Sequence, residues 1–144
     1  TDKNDKINKI IMKIKNKLLI IGFHSVNLIL IIFYLYPGSL FGCYLYNNCN
    51  IQPQITENFV ISSDYIISSN HFYVFIVLSA LGIFAYRNMK KIKFLIIYLF
   101  LLSIILELTH LIIPNRGFEW SDLFGNILGL IFVIIIYKVK NKYA

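Results

Sequence analysis

Residues 107–129 read ELTHLIIPNRGFEWSDLFGNILG and join two long apolar segments of the chain. Glu107 and His110 close the segment before the junction, and Asp122 and Asn126 open the one after it. Pro114, Arg116 and Trp120 lie on the connection. Burying a charged group in hydrocarbon is expensive, so such residues face a bundle interior, pair with one another or mark a site. On a helix Glu107 and His110 share a face, with Ser103 one turn below, while Asp122, Asn126 and Gly129 share a face of the next helix. Gly125 and Gly129 also form a small-xxx-small pair, which admits a second helix at close range. The two polar faces are expected to meet, with Arg116 folding back onto Glu107, Glu119 or Asp122. Trp120 is expected to anchor this end at the headgroup level.

The rest of the chain has the composition of a membrane protein. Of 144 residues, 58% are hydrophobic and 15% charged, where a soluble domain has about a quarter charged. The net charge of +7 is confined to an N-terminal lysine cluster, residues 87–93 and the C-terminal tail. Separated clusters without aromatic platforms argue against a nucleic-acid surface and fit loops facing an anionic leaflet. Four segments, about 18–36, 69–86, 94–113 and 121–137, read as spans, near the ~20 residues needed to cross a bilayer. Because backbone groups in lipid must be satisfied within a segment, these spans are expected to be helices.

Residues 1–17 carry six lysines, with Ile7, Ile10, Ile11 and Ile14 at helical spacing. They read either as an amphipathic cytoplasmic segment on the membrane surface or as a solvated tail that orients the first span. That span is long for a signal core and no small-x-small cleavage motif follows it, so it reads as a retained anchor. His24, Ser25 and Asn27 within it read as bonds to a neighbouring helix. Residues 37–68 contain no Lys or Arg and are read as a non-cytoplasmic loop. Cys43 and Cys49 in that loop are either a disulfide in an oxidising exterior or two free thiols. With both termini inside, thirteen of the fourteen basic residues are cytoplasmic and only Arg116 is outside. Of the acidic residues, Glu57, Asp64, Glu107, Glu119 and Asp122 fall at or near the outer face. The expected architecture is an all-α polytopic membrane protein, N-in and C-in. A basic segment over 1–17 precedes one four-helix membrane bundle over 18–144.

Two readings of the polar cluster stay open, a hydrogen-bonded clasp between the last two helices and a site for a polar or anionic group. A guanidinium such as that of Arg116 suits phosphate or carboxylate. Enzymatic readings have less support. Glu-x-x-His occurs once here, whereas a di-iron bundle uses it twice with two further carboxylates. Ser103 or Ser121 with His110 and Asp122 lacks a nucleophile-elbow motif. Glu107 with Asp122 could act as paired carboxylates only at a suitable separation. The sequence therefore assigns no catalytic residue, no cofactor and no metal.

The order and spacing of Glu107, His110, Pro114, Arg116, Trp120, Asp122, Asn126 and Gly129 resemble the signature of the VanZ-like family of small integral membrane proteins. In that family a glutamate and usually a glutamine end one helix and a Pro-x-Arg turn follows. An aspartate, an asparagine and a glycine then open the next helix. His110 stands where the glutamine is usual. A family Asp-Lys-x-x-His element that begins an earlier span is matched here at His71 and the following Phe72, with Ile67 and Ser68 in the Asp-Lys positions. The resemblance adds His71 to the cluster and implies a protein of the bacterial inner membrane, with a family link to teicoplanin resistance at the cell envelope. It implies no established reaction. The expected function is a polar site at the outer leaflet for a lipid headgroup, a lipid-linked cell-wall precursor or a glycopeptide. The alternatives are a non-catalytic accessory subunit among other membrane protein subunits, and a hydrolase or transferase on a lipid-linked substrate. The lipid bilayer is an expected partner and nucleic acid is not.

Overall fold

The computed structural model describes residues 2–62, 65–87 and 89–143, so Asp64, counted above near the outer face, lies outside the described residues. In chain order the elements are α1 (Asp2–Leu35), α2 (Leu40–Tyr46), a hairpin of β1 (Phe59–Ser62) and β2 (Tyr65–Ile67), α3 (Ser69–Tyr86), α4 (Ile92–Thr109) and α5 (Trp120–Tyr143). Four of them, α1, α3, α4 and α5, are long and apolar enough to cross a membrane.

The expected boundary between Lys17 and Leu18 is not a break in structure. No Gly or Pro interrupts the chain before Gly22, so the hydrogen-bond ladder runs through 34 residues. At 1.5 Å per residue α1 is about 51 Å long, well beyond the ~30 Å hydrocarbon core. At the other extreme α4 stops at Thr109, before the expected end of the span at residue 113. The next amides bond three residues back rather than four: His110 to Glu107, Leu111 to Leu108 and Ile112 to Thr109. Such tightening is usual where a helix runs out. Pro114, which disfavours helix at Ile113, and Asn115, at φ 59°, complete the exit.

The 37–68 connection holds structure that the sequence reading did not resolve. Ser39 Oγ accepts the Gly42 N–H at 3.0 Å and starts α2, and Asn47 ends it in the left-handed conformation. Cys43 and Cys49 form a disulfide. The segment beyond is tied to the start of α3. Asn70 donates to the Pro53 carbonyl and accepts from the Ile55 N–H, both at 2.8 Å, and Ser69 Oγ donates to the Thr56 carbonyl at 2.7 Å.

Helix α3 is central. It runs antiparallel to α1 and parallel to α5, which approaches it most closely. A Cβ on Gly125 would lie 2.6 Å from the Ser68 carbonyl oxygen, and one on Gly129 only 2.5 Å from that of Phe72. The glycine pair therefore serves α3. Phe23, Phe75, Leu78, Leu99 and Leu130 fill the interior, while Leu28, Ile97, Ile105 and Ile135 face outward, as expected of a bundle surrounded by acyl chains. In α1, His24 bonds the Tyr86 hydroxyl at 2.9 Å and Asn27 donates to that of Tyr98, pinning the helix to α3 and α4. Helices α1 and α4 finish, and α3 and α5 begin, at one end of the bundle; the basic clusters lie at the other.

Candidate functional site

At the end opposite the lysines, each spanning helix supplies a polar side chain to one buried network. Tyr34, in the last turn of α1, is its centre. Its hydroxyl donates to Asn126 Oδ1 at 2.8 Å and meets His71 Nδ1 at 2.9 Å. A hydroxyl has one hydrogen, so with that hydrogen on Asn126 the His71 Nδ1–H donates to Tyr34. In this tautomer neutral His71 carries a lone pair on Nε2, which lies 3.3 Å from Asp122 Oδ2. The His110 ring stacks on Tyr34 with centroids 5.6 Å apart.

Glu107 is fully buried in the last turn of α4. Its Oε1 accepts the Glu119 N–H at 2.9 Å, just before α5 begins, where the free amides and dipole of a helix N-terminus favour an anion. His110 Nδ1 stands 3.4 Å from the same oxygen, and His110 Nε2 lies 3.2 Å from the Tyr34 carbonyl. Both of those neighbours are acceptors, and a neutral ring with one N–H donates to only one of them at a time. An amide offers two N–H groups on one nitrogen and fits the same acceptors. His110→Gln is therefore expected to keep the detergent-solubilised protein within about 1 kcal/mol of the parent. His110→Leu, which leaves Glu107 without that partner, is expected to cost about 2 kcal/mol or more. Thermal melting of the two purified variants side by side checks this; equal losses would remove the hydrogen-bonding role.

The second Glu107 oxygen, Oε2, is buried without a hydrogen-bond partner, as is Asn126 Nδ2. One ligand-type atom from each of His71, Glu107 and Asp122 falls within 4.8 Å of the others. The sequence reading placed Glu107 against Asp122 and Asn126, and the family resemblance added His71, whose ligand atom lies within the same 4.8 Å set.

Arg116 takes a different place from the expected one. Its Nε and Nη2 donate to the carbonyls of Tyr36 and Phe33 at 3.4 and 3.3 Å. Among the described residues it makes no ion pair with Glu107, Glu119 or Asp122. The physical reason is the end of α1, whose last carbonyls lack helical partners and carry partial negative charge. Beside it an apolar groove of about 590 Å³ runs between α1 and α3 under residues 52–55. Leu30, Phe33, Val74 and Val77 line its length, and Tyr34, His71 and Arg116 stand on its polar side.

A family model described as VanZ/LLP1 matches residues 7–141, nearly the whole chain. The chain belongs to the VanZ/LLP1 family. No curated protein and no solved structure matches it.

In this VanZ/LLP1 bundle Glu107, His110, Asp122, Asn126 and His71 converge, and Gly125 and Gly129 set the α3–α5 spacing that lets them. Pro114 and Trp120 stand outside the network, with Trp120 exposed and packed edge-on against Phe118. Ser103 Oγ donates to the Phe100 carbonyl and Ser121 Oγ to Glu119, so neither is set as a nucleophile beside His110. Tyr34 was missed. Its only signal was position: a tyrosine in the last turn of an apolar span, at the same end as the cluster.

Proposed function

We propose that this VanZ/LLP1 membrane protein binds the anionic headgroup of an amphiphile at the outer leaflet of the bacterial inner membrane. The amphiphile is a lipid or a lipid-linked cell-wall precursor. The groove carries the reading: its apolar length suits an acyl or prenyl chain, and Arg116, His71 and Tyr34 stand where that chain would meet its head. Arg116 uses two of its five N–H donors on the Phe33 and Tyr36 carbonyls, leaving donors for a phosphate. Ile29, Phe33 and Val77 are exposed along the groove, so a chain can enter from surrounding lipid. The orientation rests on the Lys and Arg bias, and the Cys43–Cys49 disulfide suits an oxidising exterior.

The test is binding of labelled phosphatidylglycerol and of undecaprenyl phosphate to the purified protein, with phosphatidylcholine for comparison. Anionic ligands are expected to bind at least tenfold more tightly than phosphatidylcholine. Arg116→Ala is expected to remove about 1.5–3 kcal/mol of binding, the usual worth of a charge-assisted hydrogen bond. An intact protein with no preference for anionic heads would overturn the reading.

A further inference from the structure

The centre of the network holds two carboxylates that headgroup binding does not use. Glu107 and Asp122 each bring an oxygen within 4.8 Å of the other and of a His71 nitrogen, and no lysine or arginine pairs with either among the described residues. Buried like charges repel strongly and call for a counter-charge. Each group also has a free electron pair. Glu107 commits Oε1 to the Glu119 amide and leaves Oε2 buried and unpartnered. His71 commits Nδ1–H to Tyr34, which turns its Nε2 lone pair toward Asp122. That is how metal-bound histidines are held: the far nitrogen donates to an outer partner and fixes the tautomer. The Glu119 amide fixes Glu107 in the same manner.

We infer that His71, Glu107 and Asp122 bind one divalent transition cation of the zinc or manganese class. Tetrahedral bonds of about 2.0–2.2 Å hold neighbouring ligand atoms about 3.4 Å apart, close to the 3.3 Å between His71 Nε2 and Asp122 Oδ2. The three ligand atoms already lie within 4.8 Å of one another, so the shell closes by no more than about 1.4 Å around the ion. One nitrogen and two carboxylate ligands suit zinc or manganese better than calcium or magnesium, which favour all-oxygen sites. Two carboxylates balance the 2+ charge, and three protein ligands leave at least one coordination position open. The inference does not depend on the headgroup reading, because its test uses the metal alone.

Chelator-treated protein in mild detergent is titrated with Zn²⁺ and Mn²⁺, and separately with Mg²⁺ and Ca²⁺, by calorimetry. We expect one site per chain that prefers Zn²⁺ or Mn²⁺ by at least tenfold. Glu107→Gln with Asp122→Asn is expected to weaken binding at least a hundredfold, while Glu57→Gln, an exposed carboxylate elsewhere, leaves it unchanged. A parent protein that binds Zn²⁺ and Mn²⁺ no better than the folded double variant overturns the inference. Should the double variant fail to fold, X-ray absorption of the zinc-loaded parent decides. One imidazole with oxygen ligands supports the site, and a shell without imidazole overturns it.

Discussion

Gly129→Leu is expected to abolish recovery of a monodisperse, melt-competent protein from mild detergent. The glycine Cα faces the backbone of α3, where even a methyl group would stand 2.5 Å from the Phe72 carbonyl oxygen and 3.1 Å from the Ile76 nitrogen. The nearest obstacles are backbone atoms, so no rotamer change relieves the clash and the two helices must separate. Overpacking a core costs roughly 1–3 kcal/mol and more when the backbone has to move. In lipid the loss weighs heavily, because close packing rather than hydrophobic transfer holds transmembrane helices together. Separation would also draw Asp122 and Asn126 away from His71 and Tyr34. Gly129→Ala is the graded version, still folded but with a lowered melting temperature. Size-exclusion profiles and thermal melts of both variants check this; a leucine variant that elutes and melts like the parent would mean that α3 and α5 do not pack here.

Tyr34→Phe is expected to be the most damaging removal of a single atom. The hydroxyl satisfies Asn126 Oδ1 and His71 Nδ1 together, and Asn126 and His71 are almost wholly buried. Without it two buried polar groups lose a partner, each at about 1–3 kcal/mol, so a total of roughly 2–4 kcal/mol is expected once partial rearrangement is allowed. The ring remains to stack on His110, which separates the hydrogen-bonding contribution from packing. The measurement is unfolding in a mixed-detergent titration, with Tyr98→Phe, outside the network, for comparison. If Tyr34→Phe costs no more than Tyr98→Phe, the network does not hold this end of the bundle.

The four long helices were legible in the sequence because membrane spans leave a coarse signal in length and apolar content. The polar cluster was legible for a related reason: Glu107, His110, Asp122 and Asn126 stand out against Leu, Ile and Phe. Features that depend on distant partners were not. Tyr34 bonds residues 37 and 92 positions away, and a tyrosine near a span end is ordinary at a membrane interface. Arg116 is drawn to carbonyls 80 and 83 positions earlier, and backbone acceptors leave no trace in residue type. His71 was found through a family resemblance, since a lone histidine at a span start says little by itself. Helix α2 and the β1–β2 hairpin escaped because elements of three to seven residues carry too few side chains to show a period. The change from lysine-rich to apolar sequence near residue 18 alters the surroundings of α1 without ending the helix.

That every spanning helix contributes to the buried network ties occupancy to assembly. A ligand that needs Tyr34 and His71 together with Glu107 and Asp122 can bind only when all four helices are docked. Its binding free energy then adds to the stability of the whole bundle, by RT ln(1 + [L]/Kd). A bundle with one helix displaced loses the site entirely. Saturating ligand would therefore raise the melting temperature of the complete protein, and the size of that rise would give the affinity without a label on either component.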